Sequence, residues 1–233
     1  AEEVQKIMRH CSAAGIAVVP SGGRTGLSGG ATSLNREVVV SLQRMNKILN
    51  VNRIDRTITC QAGVITQRLQ DEALKHDLYF PVDFASRGSS QIGGNVATNA
   101  GGIRVIRYGN VREWALGIIV ELTMRLAGLP GELTRVLCAT DRLDRILELL
   151  TEARDRFADI SAFEFFTRNA LEKVLAHHRL SDPLRDVHPY YVVMEFERSD
   201  LSRRERLEQG LCDLMEQGLI SDVFISQSAK QAQ

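Results

Sequence analysis

Apolar and polar residues recur along this chain with two alternating periods, and the changes between them mark its elements. Residues 2–14 place Val4, Ile7, Met8 and Cys11 at helical spacing, with Glu2 and Glu3 in the first turn and Gly15 just past the end, which predicts a helix. The apolar run 16–19 reads as a short buried strand, and 34–42 as a second strand-like run. Segments 46–52 and 57–62 flank Arg53-Ile54-Asp55-Arg56 as the arms of a hairpin, and Val64, Leu69, Ala73 and Leu74 give 64–76 a helical face. Beyond Gly128-Leu129-Pro130-Gly131, the natural boundary, the periods alternate regularly. Strands are expected at 134–139, 160–166, 190–196 and 220–226, and helices at 141–156, 169–177 and 202–217. The first part is therefore a compact α/β unit, and the second an α+β layer with helices on one face.

Composition narrows the function classes. With 233 residues, 44% of them hydrophobic, the chain can form one large or two modest cores. Lys and Arg number 29, as do Asp and Glu, so no global field favours nucleic acid or an anionic membrane. No apolar run approaches the ~20 residues of a spanning helix, and no signal-peptide pattern opens the chain. A cytoplasmic or organelle-matrix setting, or a peripheral membrane association, is expected. Cys11, Cys60, Cys138 and Cys212 are far apart in sequence and form no C-x-x-C pair, which disfavours a zinc knuckle or a redox dithiol and leaves free, largely buried thiols.

Two glycine-rich stretches carry the candidate chemistry. Pro20-Ser21-Gly22-Gly23-Arg24-Thr25-Gly26-Leu27-Ser28-Gly29-Gly30-Ala31 begins where the 16–19 strand ends. Its glycines let backbone N–H groups approach a ligand, Arg24 adds a permanent charge and Ser21, Thr25 and Ser28 add short donors, a combination suited to a pyrophosphate. It lacks the Gly-Lys-Ser/Thr of a P-loop, and it leads to a strand rather than to the helix of a dinucleotide fingerprint. A glycine-rich hairpin without ligand is the alternative. The second stretch, 80–102, is dominated by small residues, yet Pro81, Ile92, Val96 and its Asn and Thr residues suit an ordered, ligand-lined loop better than a linker.

Together, P-x-G-G-R-T-G-L-S-G-G at 20–30, F-P-V-D followed by I-G-G-N-V-A-T-N-A-G-G at 80–102, and Arg107-Tyr108-Gly109 resemble the FAD-linked oxidases and dehydrogenases of the vanillyl-alcohol oxidase (PCMH-type) family. Within it they look like the D-2-hydroxyacid branch, which includes D-2-hydroxyglutarate dehydrogenase, D-lactate dehydrogenase and the glycolate oxidase flavin subunit. The resemblance covers nearly the whole chain. It implies an α+β protein: a two-part FAD-binding domain over 1–127, then a cap domain over 128–233 with an antiparallel sheet and helices on one face. It assigns Ser21, Gly22, Gly23, Arg24, Thr25, Gly26 and Leu27 to the FAD pyrophosphate. From the second stretch it assigns Pro81, Ser90, Gly93, Gly94, Asn95, Thr98, Asn99, Gly101 and Gly102 to the pyrophosphate, ribityl chain and isoalloxazine. Several relatives tether FAD through a histidine near the place of Arg24; arginine cannot form that bond, so non-covalent FAD is implied.

The implied activity is oxidation of a D-2-hydroxy acid (lactate, glycolate or 2-hydroxyglutarate class) to the 2-oxo acid by hydride transfer to flavin, with an unidentified electron acceptor. A homodimer is compatible with the family. Alternatives are a flavin-binding or scaffold subunit without catalysis of its own, and a same-fold oxidase of another alcohol. The family's segment between Leu116-Gly117 and Ile118 is missing here, through a true deletion or through residues left out of a continuously numbered chain. The chain also stops at Gln233, before the substrate-gripping arginine and the metal-binding residues of several members, so the catalytic residues are unknown. No metal ligands are assigned: His177, His178 and His188 read as surface or capping residues. Asp83 and Glu164 read as hydrogen-bonded structural carboxylates, and His76-Asp77 and 53–56 as solvated turn charges.

Overall fold

The computed structural model describes residues 1–115, 120–197 and 201–226, the side chains of 201–203 excepted. The chain divides into two units, Ala1–Gly102 with Gly109–Leu129, and Ile103–Tyr108 with Pro130–Gln233.

The first unit opens with helix α1 (Glu2–Ala13), which buries Cys11 and ends where Gly15 takes a φ of +65°. Strand β1 (Val18–Ser21) pairs in parallel with β2 (Val38–Ser41). Parallel strands cannot be joined by a tight turn, so the glycine-rich connection is a crossover and the hairpin alternative is excluded. Strands β3 (Ile48–Asn52) and β4 (Thr57–Gln61) form the expected antiparallel hairpin. Helix α2 (Thr66–Leu74) buries Leu69 and Ala73, and β5 (Leu78–Tyr79) follows it. The second glycine-rich stretch is not simply a loop: it holds a 3-10 turn at Ala85–Gly88 and helix α3 (Ile92–Thr98). Next comes the short helix α4 (Val105–Tyr108), which belongs to the second unit. Strand β6 (Glu121–Arg125) completes the sheet β3-β4-β6, and β7 (Ala127–Gly128) pairs with β5. Ile58, Cys60, Leu69, Phe80, Ile92, Leu122 and Met124 form one fully enclosed core.

In the second unit, β8 (Leu133–Thr140), helix α5 (Arg145–Arg156), β9 (Ile160–Thr167), helix α6 (Arg168–His178), β10 (Tyr190–Glu197), helix α7 (Leu201–Glu216) and β11 (Asp222–Ile225) follow the expected order. The strands form an antiparallel sheet, β11-β8-β10-β9. The period of two puts Val136, Cys138, Val192, Met194 and Phe196 on one face, where Ile146 and Leu149 of α5 and Leu207, Leu211 and Leu214 of α7 cover them. Leu171 of α6 packs with Ala139 and Tyr191, which point to the other face.

Candidate functional site

The two glycine-rich stretches meet within the first unit. A β-carbon built on Gly23 would lie 2.2 Å from the carbonyl oxygen of Ser89, and one on Gly22 would lie 3.4 Å from Gln91 Oε1. Only glycine allows the first loop to pass this close to the start of α3. The start of α3 is in turn pinned to the segment after β4: Ile92 N–H donates to Val64 O at 2.9 Å and Gly93 N–H to Ala62 O at 2.8 Å. These bonds explain a helix in Ile-Gly-Gly-Asn-Val-Ala-Thr, where two glycines each disfavour helix by about 1 kcal/mol. Tertiary hydrogen bonding overrides local propensity, which is why sequence periodicity misses α3.

The assigned residues divide into a buried support and an exposed rim. Ser90 and Asn95 are buried and both bond Thr66: the two hydroxyls lie 2.7 Å apart, and Asn95 Nδ2 donates to Thr66 Oγ1 at 2.7 Å. Ser21 is buried at the end of β1, and Pro81 is buried as well. Gly93 and Gly102 are packing glycines, since a β-carbon would lie 2.7 Å from Ala62 Cβ in one case and 2.4 Å from Asp83 O in the other. Asn99 closes α3 at a φ of +51°, and its Oδ1 accepts from the Arg112 N–H at 3.2 Å. Gly101, beside it, is half-buried.

Arg24, Thr25, Gly26, Leu27, Gly94 and Thr98 are exposed. Thr98 Oγ1 bonds back to Gly94 O at 3.0 Å, while β-carbons on Gly26 and Gly94 would meet nothing within 4 Å. Arg24 holds a φ of +54°, a left-handed conformation that is costly for a non-glycine residue, and among the described residues no side chain pairs with it. Among the described residues, no backbone carbonyl accepts from the N–H groups of residues 22–28. Gln91 Oε1 is a buried acceptor without a partner among them. Unused amides, an unpaired guanidinium, open glycine faces and an orphan acceptor fit a ligand with an anionic centre and hydroxyl or amino donors, which is the chemistry of FAD. Sequence reasoning did not assign Thr66, Gln91 or Ala62. Gln91 lies inside the stretch that carries the resemblance and could have been included; the other two belong to a segment outside both glycine-rich stretches, with the lone glycine Gly63 between them.

The remaining candidates are settled locally. The two carboxylate oxygens of Asp83 accept from Arg87 Nη1, at 2.7 and 2.9 Å, as in a structural carboxylate. Glu164 is exposed on β9. His188 is a correction: it is buried rather than capping, with Nδ1 2.9 Å from Asp141 Oδ1, because the chain before β10 turns inward there. His177 and His178 end α6, their rings in edge contact. Arg53 pairs with Asp77 across exposed turns. Among the described residues, no group of three His, Cys, Asp or Glu side chains is placed to hold a metal, and no helix is long and apolar enough to cross a membrane.

Comparison with known proteins decides the family. Residues 1–122 match the family described as FAD binding domain, and residues 129–233 match FAD linked oxidases, C-terminal domain. The chain belongs to the FAD-linked oxidases. FAD is its cofactor. A D-2-hydroxyglutarate dehydrogenase of Xanthomonas citri pv. viticola is 44% identical over 269 residues, covering 99% of this chain and 57% of that protein. The mitochondrial D-2-hydroxyglutarate dehydrogenase of Arabidopsis thaliana is 33% identical over 99% of this chain and 49% of its own length. The solved structure of an alkyldihydroxyacetonephosphate synthase superposes with a TM-score of 0.77 at 17% identity, covering 99% of this chain and 51% of its own, a likeness of fold. The chain thus spans about half the length of the relatives it matches.

The alignment with the Xanthomonas relative, at 269 positions, is longer than the 233-residue chain, so that relative carries residues with no counterpart here. The break expected between Gly117 and Ile118 lies outside the described residues.

Proposed function

We propose that this FAD-linked oxidase chain is the flavin-binding and cap portion of a dehydrogenase that oxidises a D-2-hydroxy acid of the 2-hydroxyglutarate class to the 2-oxo acid. The observation that carries the cofactor site is the close approach of the two glycine-rich segments at Gly23 and Ser89. The relatives named as D-2-hydroxyglutarate dehydrogenases support that substrate over lactate or glycolate. In this reading, the amides of residues 22–28 and the Arg24 guanidinium hold the pyrophosphate non-covalently, Ser21 and Thr25 add hydroxyl donors, and Gly94 leaves room for the cofactor along α3. Thr66, Ser90 and Asn95 keep α3 in place beneath it. When bound, FAD supplies the two-electron acceptor for a CH–OH carbon. The electrons pass on to an acceptor outside this chain. The mitochondrial name of the Arabidopsis relative supports an organelle matrix as the place of action.

A second reading, a flavin-binding subunit without catalysis of its own, is favoured by the residues that the Xanthomonas relative has and this chain lacks. We place their loss between Gly117 and Ile118. Anaerobic addition of D-2-hydroxyglutarate, D-lactate or glycolate to the FAD-reconstituted protein separates the two. Bleaching of the visible flavin absorbance, strongest with D-2-hydroxyglutarate, is the expected result. Bound flavin that none of the acids bleaches would favour the second reading, and absence of bound flavin would overturn the proposed site.

A further inference from the structure

A cleft of about 350 Å³ opens in the second unit, where the end of α5, the end of β10 and the first turns of α7 come together. Its size is within the usual range for small-molecule sites. Phe157 and Phe196 contribute an apolar floor, their rings edge to face with centroids 5.3 Å apart. Around them stand Arg107, Arg156, Arg204 and Arg206, with Asp159 the one carboxylate among the described lining residues. Four guanidinium groups thus converge on one cleft, and carboxylates outside its lining pair with three of them.

The partners of Arg107, Arg156 and Arg204 leave donors to spare. Arg156 binds Glu152 and Asp213, and Arg204 binds Glu208; none of those carboxylates lines the cleft. Arg107 meets Glu197 through Nε at 3.3 Å. A guanidinium carries five N–H donors, and one carboxylate occupies two at most. Arg156 and Arg107 are partly withdrawn from water, with side-chain exposures of 26% and 29%, so their field is screened less than that of surface charges, while Arg204 and Arg206 stand at the exposed mouth. We propose that this cleft is a binding site for a small organic oxyanion, a polycarboxylate or a phosphate ester, with its apolar portion against Phe157 and Phe196. Apart from Arg107, which follows the second stretch closely, its residues are far in sequence from the glycine-rich loops, and it requires no flavin.

Calorimetric titration of the full chain with citrate and with inorganic phosphate, at an ionic strength fixed by sodium chloride, tests the site. Saturable one-site binding of at least one probe is expected, weakened about tenfold in Arg204→Gln and in Arg206→Gln and unchanged in Arg24→Ala. Binding of citrate alone identifies a polycarboxylate site, and binding of phosphate alone a phosphate-ester site. Thermal melts of each variant verify that it folds. No saturable binding of either probe, equal affinity in wild type and both cleft variants, or a loss confined to Arg24→Ala would overturn the proposal.

Discussion

A β-carbon built on Gly93 would lie 2.7 Å from Ala62 Cβ and 3.1 Å from the Ala62 carbonyl oxygen, whereas one on Gly94 would meet nothing within 4 Å. Neighbouring glycines of one motif thus serve packing and access respectively. The sequence shows that both are glycine, but which face each turns to the protein depends on the docking of α3 onto residues 62–66, a tertiary relation with no local signature. Gly93→Ala should therefore destabilise the cofactor-free protein by about 1–3 kcal/mol through overpacking, read as a lower urea midpoint. A midpoint equal to that of wild type would contradict this packing. The thiols give a second check at this scale. Cys11, Cys60 and Cys138 are buried and Cys212 is exposed, and burial pushes the Cys60 thiol up to about 12 and raises Cys138 as well. At neutral pH an aromatic disulfide reagent should label Cys212 quickly in the native protein and the others only on denaturation. Rapid native labelling of Cys60 or Cys138 would contradict the enclosed cores.

Among the elements, β10 was read correctly as a strand from its apolar run, Tyr190-Tyr191-Val192-Val193-Met194, while the roles of Glu195 and Glu197 were not visible. Both are 2% exposed. Glu195 accepts from Arg104 Nε at 2.6 Å and from Arg135 Nε at 3.0 Å, and Glu197 accepts from the Tyr108 hydroxyl at 2.8 Å. Sequence periodicity cannot pair residues some ninety positions apart, so the attachment of α4 to this unit emerges only in the fold. For Glu195, burial alone would raise the carboxyl, but the bonds and charges of Arg104 and Arg135 outweigh it and hold it below its ordinary 4.5. A carboxylate whose folded pKa is depressed contributes stability above its unfolded pKa, and that contribution is lost as pH falls through the folded one. Glu195→Gln should cost about 3–5 kcal/mol at neutral pH by removing the buried carboxylate that Arg104 and Arg135 share. It should also flatten the fall of the melting temperature below about pH 4.5. A variant with an unchanged acid limb would show that other groups set the acid sensitivity.

For the molecule as a whole, the order of strands and helices after Gly131 is legible, because alternating periods and turn residues encode it directly, while the antiparallel pairing of those strands is what the family resemblance implies. Less legible were the parallel pairing of β1 with β2, which turns the first glycine-rich stretch into a crossover, and the meeting of that stretch with the second one. Those depend on backbone approach, and glycine content signals approach without naming the partner. The central claim is that the two stretches together form the FAD site. Thermal melts of wild type, Arg24→Ala and Gly94→Val, each with and without excess FAD, test it most directly. At FAD a hundred times its dissociation constant, wild type should gain about 2.7 kcal/mol. Arg24→Ala should need about tenfold to a hundredfold more FAD for the same gain, having lost a charge-assisted contact. Gly94→Val should melt with wild type when FAD is absent and gain nothing when it is present. An equal FAD-dependent gain in all three proteins would contradict the site.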